Sequence, residues 1–210
     1  MGRKNERRRR RLVYGILGRL RLNRWSRRHD PTVVLAVFGF INGGISIALL
    51  ATVALLTQEA FIFPSLGATA FILFYVPTAA AASPRNTVLG HLIGALAGWL
   101  SLAVFGLLDA PSAMQIGVDL PRIGAAALSL GAASAIMILF RAHHPPAGAT
   151  ALIVSLGLMP ELGQVPILMG AVCLLLLQAW AMNRLAGIPY PLWSQRFDHG
   201  QHPHAAARSR

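Results

Sequence analysis

Four long apolar runs constrain this chain more than any other feature. They cover residues 33–56, 87–108, 123–140 and 165–185. A hydrocarbon core of about 30 Å takes roughly 20 helical residues to cross, so each run is long enough to be a membrane span. The composition agrees: 55% of the 210 residues are hydrophobic and 12% are charged, where a soluble domain carries about 25% charged residues. The sequence therefore specifies an all-α membrane protein. It is expected to hold one transmembrane domain, residues 31–188, with no room for a separate soluble domain.

The net charge of +12 is concentrated at one end, with 12 of the 19 Lys and Arg lying before residue 29. The run Arg7 to Arg11 abuts the first span, so it reads as a topology signal that also touches anionic lipid headgroups. Basic runs elsewhere bind nucleic acid, but no nucleic-acid partner is expected here. Leu12, Val13, Ile16, Leu17, Leu20 and Trp25 recur at roughly helical spacing among the arginines. Residues 1–30 thus read as a basic segment holding an interfacial amphipathic helix, with membrane lipids as its partner. The apolar run after Pro31 is too long for a signal-peptide core and no small-residue cleavage site follows it. Both termini are expected in the cytoplasm, across a bacterial inner membrane. Residues 189–210 read as a disordered tail. The single cysteine, Cys173, excludes an intramolecular disulfide and is expected to serve packing. The 165–185 span carries the run 174–177, expected to face lipid, whereas the Ala, Gly and Ser of 123–140 imply burial among other helices.

Between the strong spans lie two weaker segments, 61–76 and 147–159, and they contain a repeat. Pro64-Ser65-Leu66-Gly67-Ala68-Thr69-Ala70 returns 81 residues later as Pro145-Pro146-Ala147-Gly148-Ala149-Thr150-Ala151. Each segment is too short for an uninterrupted span. Proline disfavours helix before itself and suits the first turn, so each segment reads as extended chain followed by a short helix. The helices are expected to begin near residues 65–67 and 146–148. The organisation is then span, broken short helix, span, repeated over residues 33–108 and 123–185.

Two topologies are open. If each broken segment crosses the membrane, the halves are inverted. If each dips in and returns, the halves are parallel. With crossing segments Arg85, Arg141 and Arg184 fall inside and only Arg122 falls outside, so the positive-inside rule favours the inverted arrangement.

Duplicated, Pro/Gly-interrupted apolar segments are the sequence pointer to a transporter's binding site. Non-helical backbone at membrane depth must line a cavity or be buried in protein. In the inverted arrangement the two short helices present their N-termini to a common midplane. Each offers free N–H groups and about half a positive charge, which suits a small inorganic anion. Gly67 and Gly148 would admit a ligand to the backbone, Thr69 and Thr150 would add hydroxyls, and Ser65 and His144 are further donors. His91 is an ionisable residue inside a span, a functional candidate by default, although a neutral histidine also serves packing. The Gly-Ala-Thr-Ala core equally suits close helix contact, and intramembrane Thr can simply bond its own helix backbone. No P-loop, dinucleotide motif or nucleophile–base arrangement is present, so neither an enzyme nor a cofactor is expected. The His143-His144 pair lacks carboxylates or thiols beside it, so no metal site is expected.

His144-Pro145-Pro146-Ala147-Gly148-Ala149-Thr150 resembles the defining motif of the HPP family of integral membrane proteins. Pro64 to Ala70, and Ser83-Pro84-Arg85-Asn86 followed by Gly90-His91-Leu92, resemble its other two signatures. The resemblance covers residues 33–185 in one order. Some members of that family, in chloroplasts and cyanobacteria, are nitrite transporters, which implies a small monovalent anion as substrate. Arg85 is then an anion-attracting residue, or else a cytoplasmic topology charge. The alternative function is a non-transporting scaffold or sensor acting through the basic N-terminus. A bundle this small with glycine-lined helices leaves faces to cover, so a homo-oligomer is expected.

Overall fold

The computed structural model describes residues 29–194. Among these, all regular structure is helical. Helix α1 covers Pro31–Thr57, α2 Pro64–Tyr75, α3 Pro84–Val104, α4 Ala113–Ile116, α5 Leu120–Leu139, α6 Pro146–Ser155 and α7 Gln164–Leu185. A 3₁₀ turn, Ala80–Ala82, precedes α3. Helices α1, α3, α5 and α7 are long and apolar enough to cross a membrane, while α2 and α6 are short. The expected interfacial helix and the terminal histidines lie outside the described residues.

Proline sets the helix starts. It occupies the first or second position of α1, α2, α3, α5 and α6, where its missing N–H costs nothing. Asp30, Ser83 and Asp119 cap α1, α3 and α5 through their side chains. The residues preceding the two short helices, Phe63 and Pro145, supply no such cap.

The glycines of α3 decide which helices touch. A Cβ at Gly90 would stand 2.7 Å from the His144 Cβ, and one at Gly98 would stand 2.6 Å from the Val154 Cβ. A Cβ at Gly94 would overlap the Ala147 carbonyl. Residue numbers rise together on the two helices, so α3 and α6 run parallel, backbone against backbone. Helix α5 runs antiparallel to both: Arg122 near its start bonds the Ser155 carbonyl, and Arg85 of α3 bonds the Phe140 carbonyl at its end. The other short helix, α2, lies along α7 in the same direction. Phe61, before α2, packs on Gly170, and the Leu73 carbonyl near its end accepts from Asn183. The end of α7 in turn lies beside the start of α3, where the Arg85 N–H donates to the Trp193 carbonyl. The two short helices therefore run in opposite directions.

Each short helix begins inside the bundle. His144 lies against Gly90 and Phe61 against Gly170. Each glycine is six residues into its span, which at 1.5 Å per residue is about 9 Å. Leu50, Leu66, Leu73, Phe74, Leu102 and Leu168 form the centre of the apolar core.

Several expectations are corrected. Helix α5 buries only the stripe Ala125, Ser129, Ala133 and Met137 together with Arg122, and leaves Ile138 and Leu139 exposed. Its small residues let one face meet α3 and α6; the most enclosed span is α3. In the run 174–177, Leu175 and Leu176 are buried against the core and Leu177 is exposed, as a helical period requires. Cys173 is exposed rather than packed. The expected disordered tail does not begin at 189: Tyr190 is fully buried and its hydroxyl donates to the Ala82 carbonyl at 2.6 Å. Helix α2 starts at Pro64, one residue earlier than expected, and α3 spans Pro84–Val104 rather than 87–108.

Candidate functional site

Four side chains from three elements of the bundle and one loop meet in the protein interior. Thr69 comes from α2, His91 from α3, Thr150 from α6, and His144 from the non-helical approach to α6. All four are at most 1% exposed. The two threonines are the equivalent residues of the sequence repeat, and one imidazole stands between them. His91 Nε2 lies 2.8 Å from Thr69 Oγ1, and His91 Nδ1 lies 2.7 Å from Thr150 Oγ1. His144 Nε2 lies 3.1 Å from the same Thr69 oxygen, and His144 Nδ1 lies 2.7 Å from the Ala81 carbonyl. The two imidazole rings are 5.0 Å apart, centroid to centroid.

The carbonyl end of this chain orients the rest. A carbonyl only accepts, so His144 Nδ1 carries a hydrogen and donates to Ala81. In the neutral ring Nε2 is then an acceptor, and Thr69 donates to it. Thr69 accepts in turn from His91 Nε2–H, and His91 Nδ1 accepts from the Thr150 hydroxyl. Four hydrogen bonds run in one direction, from Thr150 through His91, Thr69 and His144 to Ala81. Such a chain satisfies every ring nitrogen without a net charge, which is what burial among apolar helices requires.

The remaining sequence candidates are distributed as follows. Ser65 lies one turn before Thr69 on the same face of α2, fully buried, and its hydroxyl has no hydrogen-bond partner. Thr69 also lies 3.0 Å from the Ser65 carbonyl. Gly67 is exposed on the far face of α2, with open space where a Cβ would stand. Gly148 is half-buried against Leu130 of α5. In both copies of the repeat the Gly-Ala pair thus turns outward and the Thr-Ala pair inward. Arg85 is directed to the end of α5, where it donates to the Phe140 and Arg141 carbonyls and to Asn86, each at 3.0 Å. It stabilises the negative end of that helix. The neighbour of His144, His143, is exposed.

Several polar residues around the site carry no motif. Arg122 is 1% exposed and donates to the Ser155 and Pro111 carbonyls, closing the C-terminus of α6. Asn183 does the same for α2 through Leu73. Ser129 donates to the Ser155 hydroxyl at 2.9 Å. On α1, Ser46 donates to Gln178 of α7 at 2.6 Å, beside the buried Asn42. The available signal for all of these is a polar residue inside or beside an apolar run.

Known proteins place the chain in a family. A family model described as HPP, transmembrane region, matches residues 28–191. A transmembrane protein of Dictyostelium discoideum is 32% identical over 145 residues, covering 67% of this chain and 47% of the relative. A second transmembrane protein of the same organism is 33% identical over 96 residues, 46% of this chain and 28% of the relative. The chain thus spans about half the length of the first relative and less of the second. No solved structure matches it. With the family model matched over most of its length, and the His-Pro-Pro sequence standing where α6 begins beside the buried histidines, the chain belongs to the HPP family of transmembrane proteins.

Proposed function

We propose that this integral membrane protein moves a small monovalent anion, and that the anion passes between the starts of the two short helices. The carrying observation is that both repeat threonines bond a single buried histidine, with the unpartnered Ser65 hydroxyl one turn away. A buried hydroxyl without a partner costs about 1–3 kcal/mol, and an anion would accept from it. The positive ends of two helices that lack side-chain caps add to the same potential. Gly67 and Arg85 enter this reading only indirectly, as an outward-facing residue and a helix cap.

The opposed directions of α2 and α6 support an inverted pair of halves, and the positions of Arg85, Arg141 and Arg184 favour cytoplasmic termini. Arg122, the one cation on the wrong side in that arrangement, is buried and bonded to carbonyls. It is therefore not a loop charge of the kind the positive-inside rule counts.

The test is anion uptake by proteoliposomes, comparing nitrite, nitrate, formate and chloride with protein-free vesicles. At least one is expected to enter with saturating kinetics. Thr150→Val is expected to lower that uptake at least tenfold. Absence of protein-dependent flux for all four would overturn the reading.

A further inference from the structure

The Thr69 oxygen has three polar neighbours, and a neutral cluster cannot use them all. His91 Nε2, His144 Nε2 and the Ser65 carbonyl lie at 2.8, 3.1 and 3.0 Å. A hydroxyl donates once. If Thr69 donates to His144, the Ser65 carbonyl contact is idle. If it donates to Ser65, two lone pairs face each other across the 3.1 Å contact to His144. One added proton on His144 Nε2 lets all three contacts be used at once. Thr69 then accepts from both imidazoles through its two lone pairs and donates to Ser65, while His144 Nδ1–H stays on Ala81. Every polar side-chain atom of Thr69, His91 and His144 then has a partner, and the Ser65 hydroxyl alone stays without one in the cluster. A proton on His91 Nδ1 does less well, because it turns the Thr150 hydroxyl away from its acceptor.

That proton makes a buried cation, and among the described residues no acid lies near it. Asp30, Glu59, Asp109, Asp119 and Glu161 are all exposed and lie outside the long helices. Among the described residues of the elements packed around the cluster, the only titratable group facing His144 is His91. Helix α6 contains no titratable residue. On α2 there is only Tyr75, exposed at its far end, and on α7 Cys173 and Arg184 are both exposed. On α3, Arg85 is turned to the end of α5. On α5, Arg122 lies at the far end of α6, ten residues or about 15 Å away. Outside the helices, Tyr190 bonds Ala82 beside the Ala81 carbonyl. An unpaired charge at this depth is strongly unfavourable. An anion reaching the Ser65 hydroxyl without a nearby cation is equally so. Each supplies the countercharge the other lacks.

We infer that the anion is carried together with one proton held on His144 Nε2, so that transport is an electroneutral proton–anion symport. This rests on the proposed anion transport. The step balances: one proton and one anion enter the site from one side. The proton forms an N–H bond on His144 while the Thr69 hydroxyl turns to the Ser65 carbonyl. On the other side the N–H bond breaks, the proton and anion leave, and Thr69 turns back.

Proteoliposomes with a trapped pH dye test it, with nitrite and formate as probes and protein-free vesicles as the baseline for leakage of the free acids. Uptake is expected to acidify the interior with close to one proton per anion, and clamping the membrane potential with potassium and valinomycin is expected to leave the rate unchanged. His144→Gln and Thr69→Val should lower proton-coupled uptake at least tenfold, and Thr69→Ser should keep it within threefold of the parent. Anion uptake that carries a current without acidification overturns the inference and leaves the transport reading standing. No uptake by the parent protein overturns both. The parent measurement decides even if a variant does not fold, and a folded His144→Gln protein with an unchanged proton ratio also overturns the inference.

Discussion

Alanine at Gly98 measures how tightly the site depends on the approach of α3 to α6. The new Cβ would meet the Val154 Cβ at 2.6 Å and the Ala151 carbonyl oxygen at 2.8 Å. Ordinary contact begins near 3.4 Å, so the helices must part by about 0.6–0.8 Å. A backbone oxygen cannot rotate away, which makes relief by a side chain impossible. Overpacking of this kind costs about 1–3 kcal/mol, while replacing a helical glycine by alanine returns at most about 1 kcal/mol. The expected net loss is about 1–2 kcal/mol, and at about 2–4 °C per kcal/mol for a chain of this size the midpoint falls roughly 2–8 °C. The same displacement carries Thr150 from 2.7 Å toward about 3.4 Å from His91, at the limit of a hydrogen bond. Gly67→Ala is the control, since nothing lies within 4 Å of its added Cβ; it should be neutral or stabilising by up to about 1 kcal/mol. Thermal midpoints of detergent-purified variants, read by size-exclusion recovery after heating, give the comparison. A Gly98→Ala protein as stable as Gly67→Ala would refute the argument that these helices touch through their backbones.

Other expectations follow from single contacts. Arg122→Met removes the charged donor to the Ser155 and Pro111 carbonyls and should cost about 2–4 kcal/mol; an unchanged thermal midpoint would contradict its role at the end of α6. Burial pushes the Tyr190 hydroxyl above the ordinary tyrosine range, so its contribution is whole below the unfolded pKa near 10 and is lost as pH rises beyond it. Tyr190→Phe should therefore flatten the alkaline loss of stability in a pH series, at the expense of about 1 kcal/mol for the Ala82 bond. Asp30 is held below the usual carboxylate range by the Thr32 N–H, so its capping contribution is present above the unfolded pKa and fades as pH falls through the folded one; Asp30→Asn should remove that acid dependence while preserving the cap. In a Cys173→Ser background, Thr78→Cys and Glu161→Cys should label from opposite sides of the membrane, and labelling from one side would rule out crossing short helices.

The four spans and two broken helices were legible because membrane burial writes itself as uninterrupted apolar length, and proline marks each helix start. The repeat pointed to Thr69 and Thr150, and His91 stood out as an imidazole within a span. The arrangement of the four side chains was not legible. Ala81 fixes the orientation of His144 through a carbonyl, a group every residue has, so no residue type announces it. Gly67 and Gly148 read as ligand-facing because small residues suit close approach, yet the same chemistry suits an outward face. In α5, alanine and glycine likewise failed to distinguish a helix enclosed by others from one with a single packed stripe. Arg122 looked like a stray loop charge because its partners are two carbonyls distant in sequence.

The packing of the helices divides the bundle unequally. Helices α3, α5 and α6 are joined by the most extensive contacts, backbone to backbone where glycine permits, whereas α1, α2 and α7 pack on one another and on this block more lightly. His91, Thr150 and His144 all belong to the tighter block, and only Thr69 reaches the cluster from the other side. Within the cluster, the contact between the two groups of helices therefore passes through one hydroxyl oxygen. A rocking displacement of about 1 Å lengthens both bonds to that oxygen beyond hydrogen-bonding range while the bonds within the block stay intact. Under the proposed symport, opening this contact would interrupt the proton's route at the same oxygen.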